Sequence, residues 1–213
     1  DLTDKTFSSI TSFSGLFDGN GHTISGLSTT NGLFATATNA RIYDLTVAGT
    51  VGDEDSTAIK VGGIVGNSTL TAGEYLYISG CTNMCTVTGS QYVGGIVGQL
   101  QYTDGINSIE NCTVENCEIS STSSAVGGVL GYSYGNSSSM NTVKNCGITG
   151  GSVNASYIGG GIVGNAFQTN VIGCYNYGAT ITVTASGSSA QAGGITGYNG
   201  KIYSCFSSAD VLA

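Results

Sequence analysis

The side chains able to do chemistry in this sequence are few, and most of them carry sulfur. Seven cysteines, Cys81, Cys85, Cys112, Cys117, Cys146, Cys174 and Cys205, open three readings: disulfides, a thiolate metal site, or small apolar packing units. Because the number is odd, at least one is free or joined to another chain. Cys81 to Cys85 and Cys112 to Cys117 have the superficial spacing of zinc ligands, but no partner pair or histidine completes a set of four. The single histidine, His22, stands in the stretch Asn20-Gly21-His22-Thr23 with Asp18 close by. That is one acid and one imidazole without an assured second acid, so a hydrogen-bonding turn is the better reading than a general base. Acidic groups gather at Asp53-Glu54-Asp55 and along Glu110, Glu115 and Glu118. Calcium would want several such oxygens, but the spacing matches no EF-hand and a solvated acidic turn is expected. The basic residues Lys5, Arg41, Lys60, Lys144 and Lys201 fall at unmatched repeat offsets. The carboxylates therefore lack the arranged basic partners that a polysaccharide lyase or hydrolase uses.

What must position these residues is a repeat. Gly62-Gly63-Ile64-Val65-Gly66 returns as Gly94-Gly95-Ile96-Val97-Gly98, Gly127-Gly128-Val129-Leu130-Gly131, Gly160-Gly161-Ile162-Val163-Gly164 and Gly193-Gly194-Ile195-Thr196-Gly197, at intervals of 32 or 33 residues. A degraded copy, Asn31-Gly32-Leu33-Phe34-Ala35, precedes them. A second column puts a β-branched residue three before a leucine or cysteine: Ile42/Leu45, Ile78/Cys81, Ile109/Cys112, Val143/Cys146, Val171/Cys174 and Ile202/Cys205. Ile24/Leu27 reads as its first member and implies a short first coil, as terminal repeats often are.

Between the columns lie β-prone runs such as Thr86-Val87-Thr88 and Ile181-Thr182-Val183-Thr184, punctuated by Gly, Asn and Ser, and helical periodicity is nearly absent. A helix-free repeat of this length, with two or three short strands, predicts an all-β parallel β-solenoid, or β-helix, whose coils pair at about 4.8 Å. Right-handed winding is expected of coils this long. The chain is read as one domain, 1–213, with a short N-terminal capping coil over 1–41 and repeats over 42–213. A propeller or sandwich would show longer blades and frequent two-residue hairpin turns, which are rare here.

In a solenoid a sequence column becomes a ladder. The Ile and Val of the glycine motif are expected to stack inward, with the glycines permitting positive φ at corners and close backbone approach. A phosphate-cradling loop is excluded, since neither the Walker lysine nor a following helix is present. Leu45 shares the cysteine slot, so Cys81, Cys112, Cys146, Cys174 and Cys205 are expected to form a buried, mostly reduced ladder. Cys85 and Cys117 lie outside that column and are the candidates for an exception. Threonine holds no column through the coils, against an ice-binding array.

Composition narrows the partners. With 35 glycines, no proline and five Lys plus Arg among 213 residues, the net charge is -8 and the isoelectric point about 4.2. Nucleic acid and anionic membrane surfaces need the opposite charge, and no apolar run approaches a membrane span. No cofactor is implied. The low charge and abundant Ser, Thr and Asn suit a secreted or surface protein. The sequons at Asn67, Asn111, Asn136 and Asn154 add little in a chain of this composition.

Phe13-Ser-Gly-Leu-Phe-Asp-Gly-Asn-Gly-His-Thr-Ile-Ser-Gly-Leu27, followed by Asn31-Gly-Leu-Phe34 and the serial glycine motifs, resembles the GLUG-motif repeat proteins of bacterial surfaces. The resemblance runs from Phe13 onward and implies a β-solenoid in an extracellular setting. Such repeats occur in adhesin-like proteins and in non-catalytic regions of surface peptidases that cleave immunoglobulin A. The resemblance carries no catalytic residue, and the cysteine enrichment departs from it.

The expected role is a non-enzymatic adhesive or spacer module, with a carbohydrate-active enzyme and a self-associating filament subunit as alternatives. The most variable segments follow the glycine motif: 67–77, 99–108, 132–142, 166–170 and 199–201. Loops that vary on a constant coil are where binding tends to reside. Tyr75, Tyr77, Tyr102, Asp104, Tyr132, Tyr134 and Phe167 are the candidate contacts for a host glycan or protein. The sequence stops 16 residues after the last glycine motif, which reads as part of a coil missing, and so as a fragment or a subunit that associates end to end.

Overall fold

The computed structural model of the chain describes residues 1–53, 57–102, 104–135, 140–185 and 190–213. Among them the regular elements are β-strands paired in parallel, each with its equivalent in the coils before and after. One coil shows the plan. Lys60–Gly62 forms a first face, Val65–Leu70 a second, Tyr75–Ser79 a third and Thr82–Gly89 a fourth, and Tyr92–Gly94 then begins the next coil. Four strands in this coil, and five in each following coil, where the fourth face is divided as in Thr113–Glu115 and Glu118–Ser121, exceed the expected two or three; the three-residue strands of the first face run into the first glycine of the motif. The first face stacks Lys60–Gly62, Tyr92–Gly94, Ala125–Gly127, Ile158–Gly160 and Gln191–Gly193 in one sheet.

Register follows the sequence columns. Phe34, Val65, Val97, Leu130, Val163 and Thr196 lie side by side along the second face. Ile42, Ile78, Ile109, Val143, Val171 and Ile202 do the same along the third. Both columns point inward and are fully buried through the middle coils. A slip of one residue would turn an entire column to solvent, and each buried aliphatic side chain is worth about 1.5–3 kcal/mol, so the register is strongly specified.

Ile24 does not begin the third-face column. It pairs with Val47 on the fourth face, and Phe17 takes the place beside Ile42. Aromatic size explains the change: Phe13, Phe17 and Phe34 close the first coil in one cluster, with Phe34 centred 4.5 Å from Phe13 and 5.4 Å from Phe17. Leu2 and Phe7 pack against this end, where the Leu2 N–H donates to the Ser25 carbonyl at 2.7 Å. In this coil Phe34–Tyr43 runs through the second and third faces as one ten-residue strand. At the opposite end the last coil is paired on one side, and Ile202, Phe206 and Leu212 are about half exposed.

The glycine motif turns the corner from the first face to the second, and none of its glycines has positive φ. Their requirement is space. A Cβ on Gly62, Gly94, Gly127, Gly160 or Gly193 would overlap a carbonyl oxygen of its own coil, and one on Gly63, Gly95, Gly128 or Gly161 a carbonyl of the next. Gly66, Gly98, Gly131, Gly164 and Gly197 are equally closed, with backbone atoms of neighbouring segments within 2.9 Å of a built Cβ. Left-handed backbone is instead concentrated before the cysteine slot, at Asp44, Gly80, Asn111, Asn145, Gly173 and Ser204, with φ between 47° and 65°. Asn, Asp and Gly tolerate that conformation best, which accounts for the Asn-Cys dipeptides.

Candidate binding surface

Cys81, Cys112, Cys146 and Cys174 occupy the slot behind that corner and are buried, while Cys205 in the last coil is partly open. Each thiol points at the carbonyl two residues back, as Cys112 Sγ does to Glu110 O at 3.2 Å and Cys146 Sγ to Lys144 O at 3.3 Å. Each also reaches a carbonyl of the preceding coil, as Cys146 Sγ does to Ile109 O at 3.4 Å. Cys81, Cys112, Cys146 and Cys174 contact one another in series. Thiol contacts with Cys146 and Cys81, and then burial, push the Cys112 thiol well up; contact with Cys146, and then burial, do the same for Cys174. All seven cysteines are free thiols. Cys85 and Cys117 form a second buried site on the fourth face, where burial pushes Cys85 up to about 12 and Cys117 to about 11. The neighbouring Asn83 amide donates toward Cys117 Sγ at 3.7 Å and accepts from the Cys85 N–H at 3.1 Å.

His22 is exposed, and its backbone N–H closes the turn on Gly19 O at 2.8 Å. Asp18 Oδ1 accepts from the Asn20 N–H at 2.8 Å, so its carboxylate caps the same turn. Glu110 accepts from Ser108 Oγ on Oε1 at 2.8 Å and Glu118 from Asn154 Nδ2 at 3.1 Å. Glu54, Asp55 and Asn136 lie outside the described residues. Among the described residues no group of three or more His, Cys, Asp or Glu side chains is arranged to hold a metal ion.

The variable segments share one corner, between the second and third faces: the chain leaves the second face at Leu70, Tyr102, Tyr134, Ala166 and Tyr198 and enters the third at Tyr75, Ile106, Asn141, Thr169 and Lys201. The aromatic candidates divide around it. Tyr134 and Phe167 stack with centroids 5.5 Å apart and remain well exposed. Tyr132 lies further back along the second face, against Tyr92 at 4.4 Å, and burial followed by its tyrosine neighbours raises its phenol pKa. Tyr75 and Tyr77 stand on the outer third face, 5.4 Å apart, with the Arg41 guanidinium 5.2 Å and 5.9 Å from their ring centres. Asp104 is exposed in its loop with φ of 60°.

Tyr102 departs from the expectation. Strand alternation sends it inward with Leu100, only 2% exposed, beneath Gly135, where any Cβ would strike its ring. Burial raises its phenol pKa, offset in part by a hydrogen bond with the Asn141 backbone. Beside it runs a buried polar ladder that the sequence reading missed. Ser68 Oγ donates to Asn107 Oδ1 at 3.4 Å, Asn107 Nδ2 to Asn141 Oδ1 at 2.9 Å, Asn141 Nδ2 to Ser133 Oγ at 2.6 Å, and Thr169 Oγ1 to Ser133 Oγ at 2.6 Å. Its signal was the two asparagines one coil apart, each two residues before a column member, Ile109 or Val143. This ladder satisfies the corner that carries the loops, which a purely apolar core could not do for inward polar groups.

The GLUG motif matches residues 89–120, the span that runs from the end of the fourth-face strand Thr82–Gly89 through the Gly94–Gly98 corner to the fourth face of the following coil. Comparison with curated protein sequences finds no match. A crystal structure described as a "putative immunoglobulin A1 protease from Bacteroides ovatus" is similar over 92% of this chain and 68% of that one, at 18% sequence identity and a TM-score of 0.48. With the motif matched in one coil and the same columns stacked on it in register above and below, the chain is a parallel β-solenoid that carries a GLUG motif at 89–120.

Proposed function

We propose that the chain is a non-enzymatic repeat module of a secreted or cell-surface protein, serving as a stiff adhesive or spacer segment. The observation that carries this reading is the row of variable loops along one corner of a regular stack, with Tyr134, Phe167, Tyr75 and Tyr77 beside it. A continuous parallel ladder gives stiffness, since every coil is bonded to its neighbours. Loops on one edge give a contact strip in which each coil can vary without disturbing the stack. The acidic Ser-, Thr- and Asn-rich surface supports an extracellular setting, and a host glycan or protein is the partner class that fits exposed tyrosines beside polar loops. The dispersed acids and the capped Asp18 and His22 turn support a binding rather than a catalytic role.

The test is direct. The immobilised chain is probed with a glycan array and with extracellular matrix proteins, beside a variant in which the loop 71–74, between the strands Val65–Leu70 and Tyr75–Ser79, is replaced by a glycine-serine turn. Binding reduced by the replacement is expected. Absence of any ligand would reduce the reading to a spacer, and turnover of a polysaccharide by the chain would overturn it.

Self-association is a second reading, favoured by the half-exposed Ile202, Phe206 and Leu212 on the last coil. Head-to-tail growth requires the Leu2 and Phe7 segment to leave the opposite end. Sedimentation that does not change with concentration would remove the filament form.

A further inference from the structure

We infer that the outer third face of the first three coils is a binding site for an acidic oligosaccharide, with Arg41 taking the sugar carboxylate and Glu110 a hydroxyl. This rests on the reading of the chain as an adhesive module and names the ligand class it takes.

Arg41 is exposed, in an acidic chain with only five basic residues. Among the described residues its partners are the rings of Tyr75 and Tyr77, and no carboxylate lies within ion-pair distance. The rings hold the guanidinium by cation–π attraction, which leaves its edge of N–H donors uncommitted and pre-oriented. A planar fork of donors matches a carboxylate better than any neutral group.

The rest of the site follows from register. Arg41 is beside Tyr77, and Tyr77 beside Ser108; two residues along the same strands, Tyr43 is beside Ser79, and Ser79 beside Glu110. Tyr43, Tyr77, Ser79, Ser108 and Glu110 line a shallow groove of about 190 Å³. Arg41 and Glu110 occupy opposite corners of this array, roughly 12 Å apart on parallel strands, the length of a disaccharide. Between them lie phenol edges and hydroxyls, which suit a sugar ring. Glu110 accepts Ser108 Oγ on Oε1, which orients the carboxylate and leaves Oε2 to accept a sugar hydroxyl.

The experiment is calorimetric titration of the full chain with 3′-sialyllactose and with digalacturonate, with lactose as the neutral probe. The acidic probes are expected to bind at least tenfold more tightly than lactose. Arg41→Met is expected to weaken them by roughly 10- to 100-fold while leaving lactose unchanged, and Arg41→Lys to restore part of the loss. Glu110→Gln is expected to weaken all three. Arg41 is exposed, so thermal unfolding of the Met variant should match the parent. Chemical-shift mapping of the unmodified chain provides a readout without mutation, with acidic probes expected to shift Arg41, Tyr77 and Glu110 resonances. Equal affinity for acidic and neutral probes, or acidic binding indifferent to Arg41→Met, would overturn the inference. If an array ligand binds regardless of Arg41, the adhesive reading stands and this site falls; if no ligand binds anywhere on the chain, both fall.

Discussion

Replacing Gly95 by alanine puts one methyl group where two coils meet. Gly95 has ordinary φ, and its N–H donates to Gly128 O at 3.0 Å while its own carbonyl accepts from the Gly63 N–H at 3.1 Å. An added Cβ overlaps Gly128 O and comes within 2.7 Å of Val114 Cγ2. Both neighbours are fixed by their own ladders, so relief requires the coils to part. Overpacking of this kind costs about 1–3 kcal/mol, and a weakened ladder bond about 0.5–1.5 kcal/mol more. Loss of unfolded-state freedom returns only about 0.4–1 kcal/mol, leaving a net cost of about 0.5–4 kcal/mol, centred a little above about 2 kcal/mol. Gly73 is the matched control. Its φ is +83° and a Cβ there meets nothing within 4 Å, so alanine faces only the left-handed penalty of about 1–2 kcal/mol, again partly offset. Thermal melting separates the two. For a chain of this size 1 kcal/mol moves the midpoint by about 2–4 °C, so at the centre of these ranges Gly95→Ala is expected to lower it by about 7 °C and Gly73→Ala by about 2 °C. If Gly73→Ala proves as damaging as Gly95→Ala, conformation rather than space governs these glycines and the account of the motif fails.

Other consequences follow from the buried columns. Alkylation of the native chain should label Cys205 alone among the seven thiols, with the rest reacting only in denaturant; mass spectrometry showing rapid native labelling of Cys112 or Cys146 would contradict the ladder. Asn141→Leu should cost about 2–4 kcal/mol by leaving Asn107 Nδ2 without its buried acceptor and removing one of the two donors to Ser133 Oγ. Adding Asn107→Leu together with Ser68→Ala should recover at least about 1 kcal/mol, because Leu76 already fills the Asn107 column and Ser68 would otherwise lose its acceptor; a triple variant as weak as the separate losses combined would refute the coupling. Cys85 and Cys117 titrate at about 12 and about 11 in the fold against an ordinary thiol value of 9.0. The folded chain therefore holds protons that the unfolded chain releases, and the stabilisation is complete below pH 9 and lost as pH rises to about 12. Denaturation midpoints should fall across that window, and less steeply in Cys85→Ala; a slope identical to the parent's would exclude the thiol.

Much of the architecture was legible because a solenoid writes its geometry as a period. Equivalent residues of successive coils meet the same neighbours, so Ile42, Ile78, Ile109 and their successors announce a ladder before any strand is placed. The cysteine slot was equally readable, since Leu45 and five cysteines share one offset and are alike chiefly in size and apolarity. The candidate surface was less so. Tyr102 and Tyr134 occupy similar places after the glycine motif, yet Tyr102 lies inward with Leu100 and Tyr134 outward. Register sets that parity: Tyr134 is beside Gln101, one residue before Tyr102, so strand alternation turns the two rings to opposite sides. Arg41 carried no signal because its significance lies in Tyr77 of the next coil and Glu110 of the one after.

By itself the sequence determined the parallel stack, its register and its buried columns, because each follows from residue type recurring at a fixed interval. Only the tertiary structure decided that the motif glycines answer to crowding rather than to φ, that left-handed corners belong to Asp44, Asn111 and Asn145, and that Arg41 lies over Tyr75 and Tyr77 two strands from Glu110. Those properties depend on distances between coils. Residues a whole coil apart in sequence come within a few ångströms there, and contact across that gap is set by how the coil closes, which no local pattern encodes.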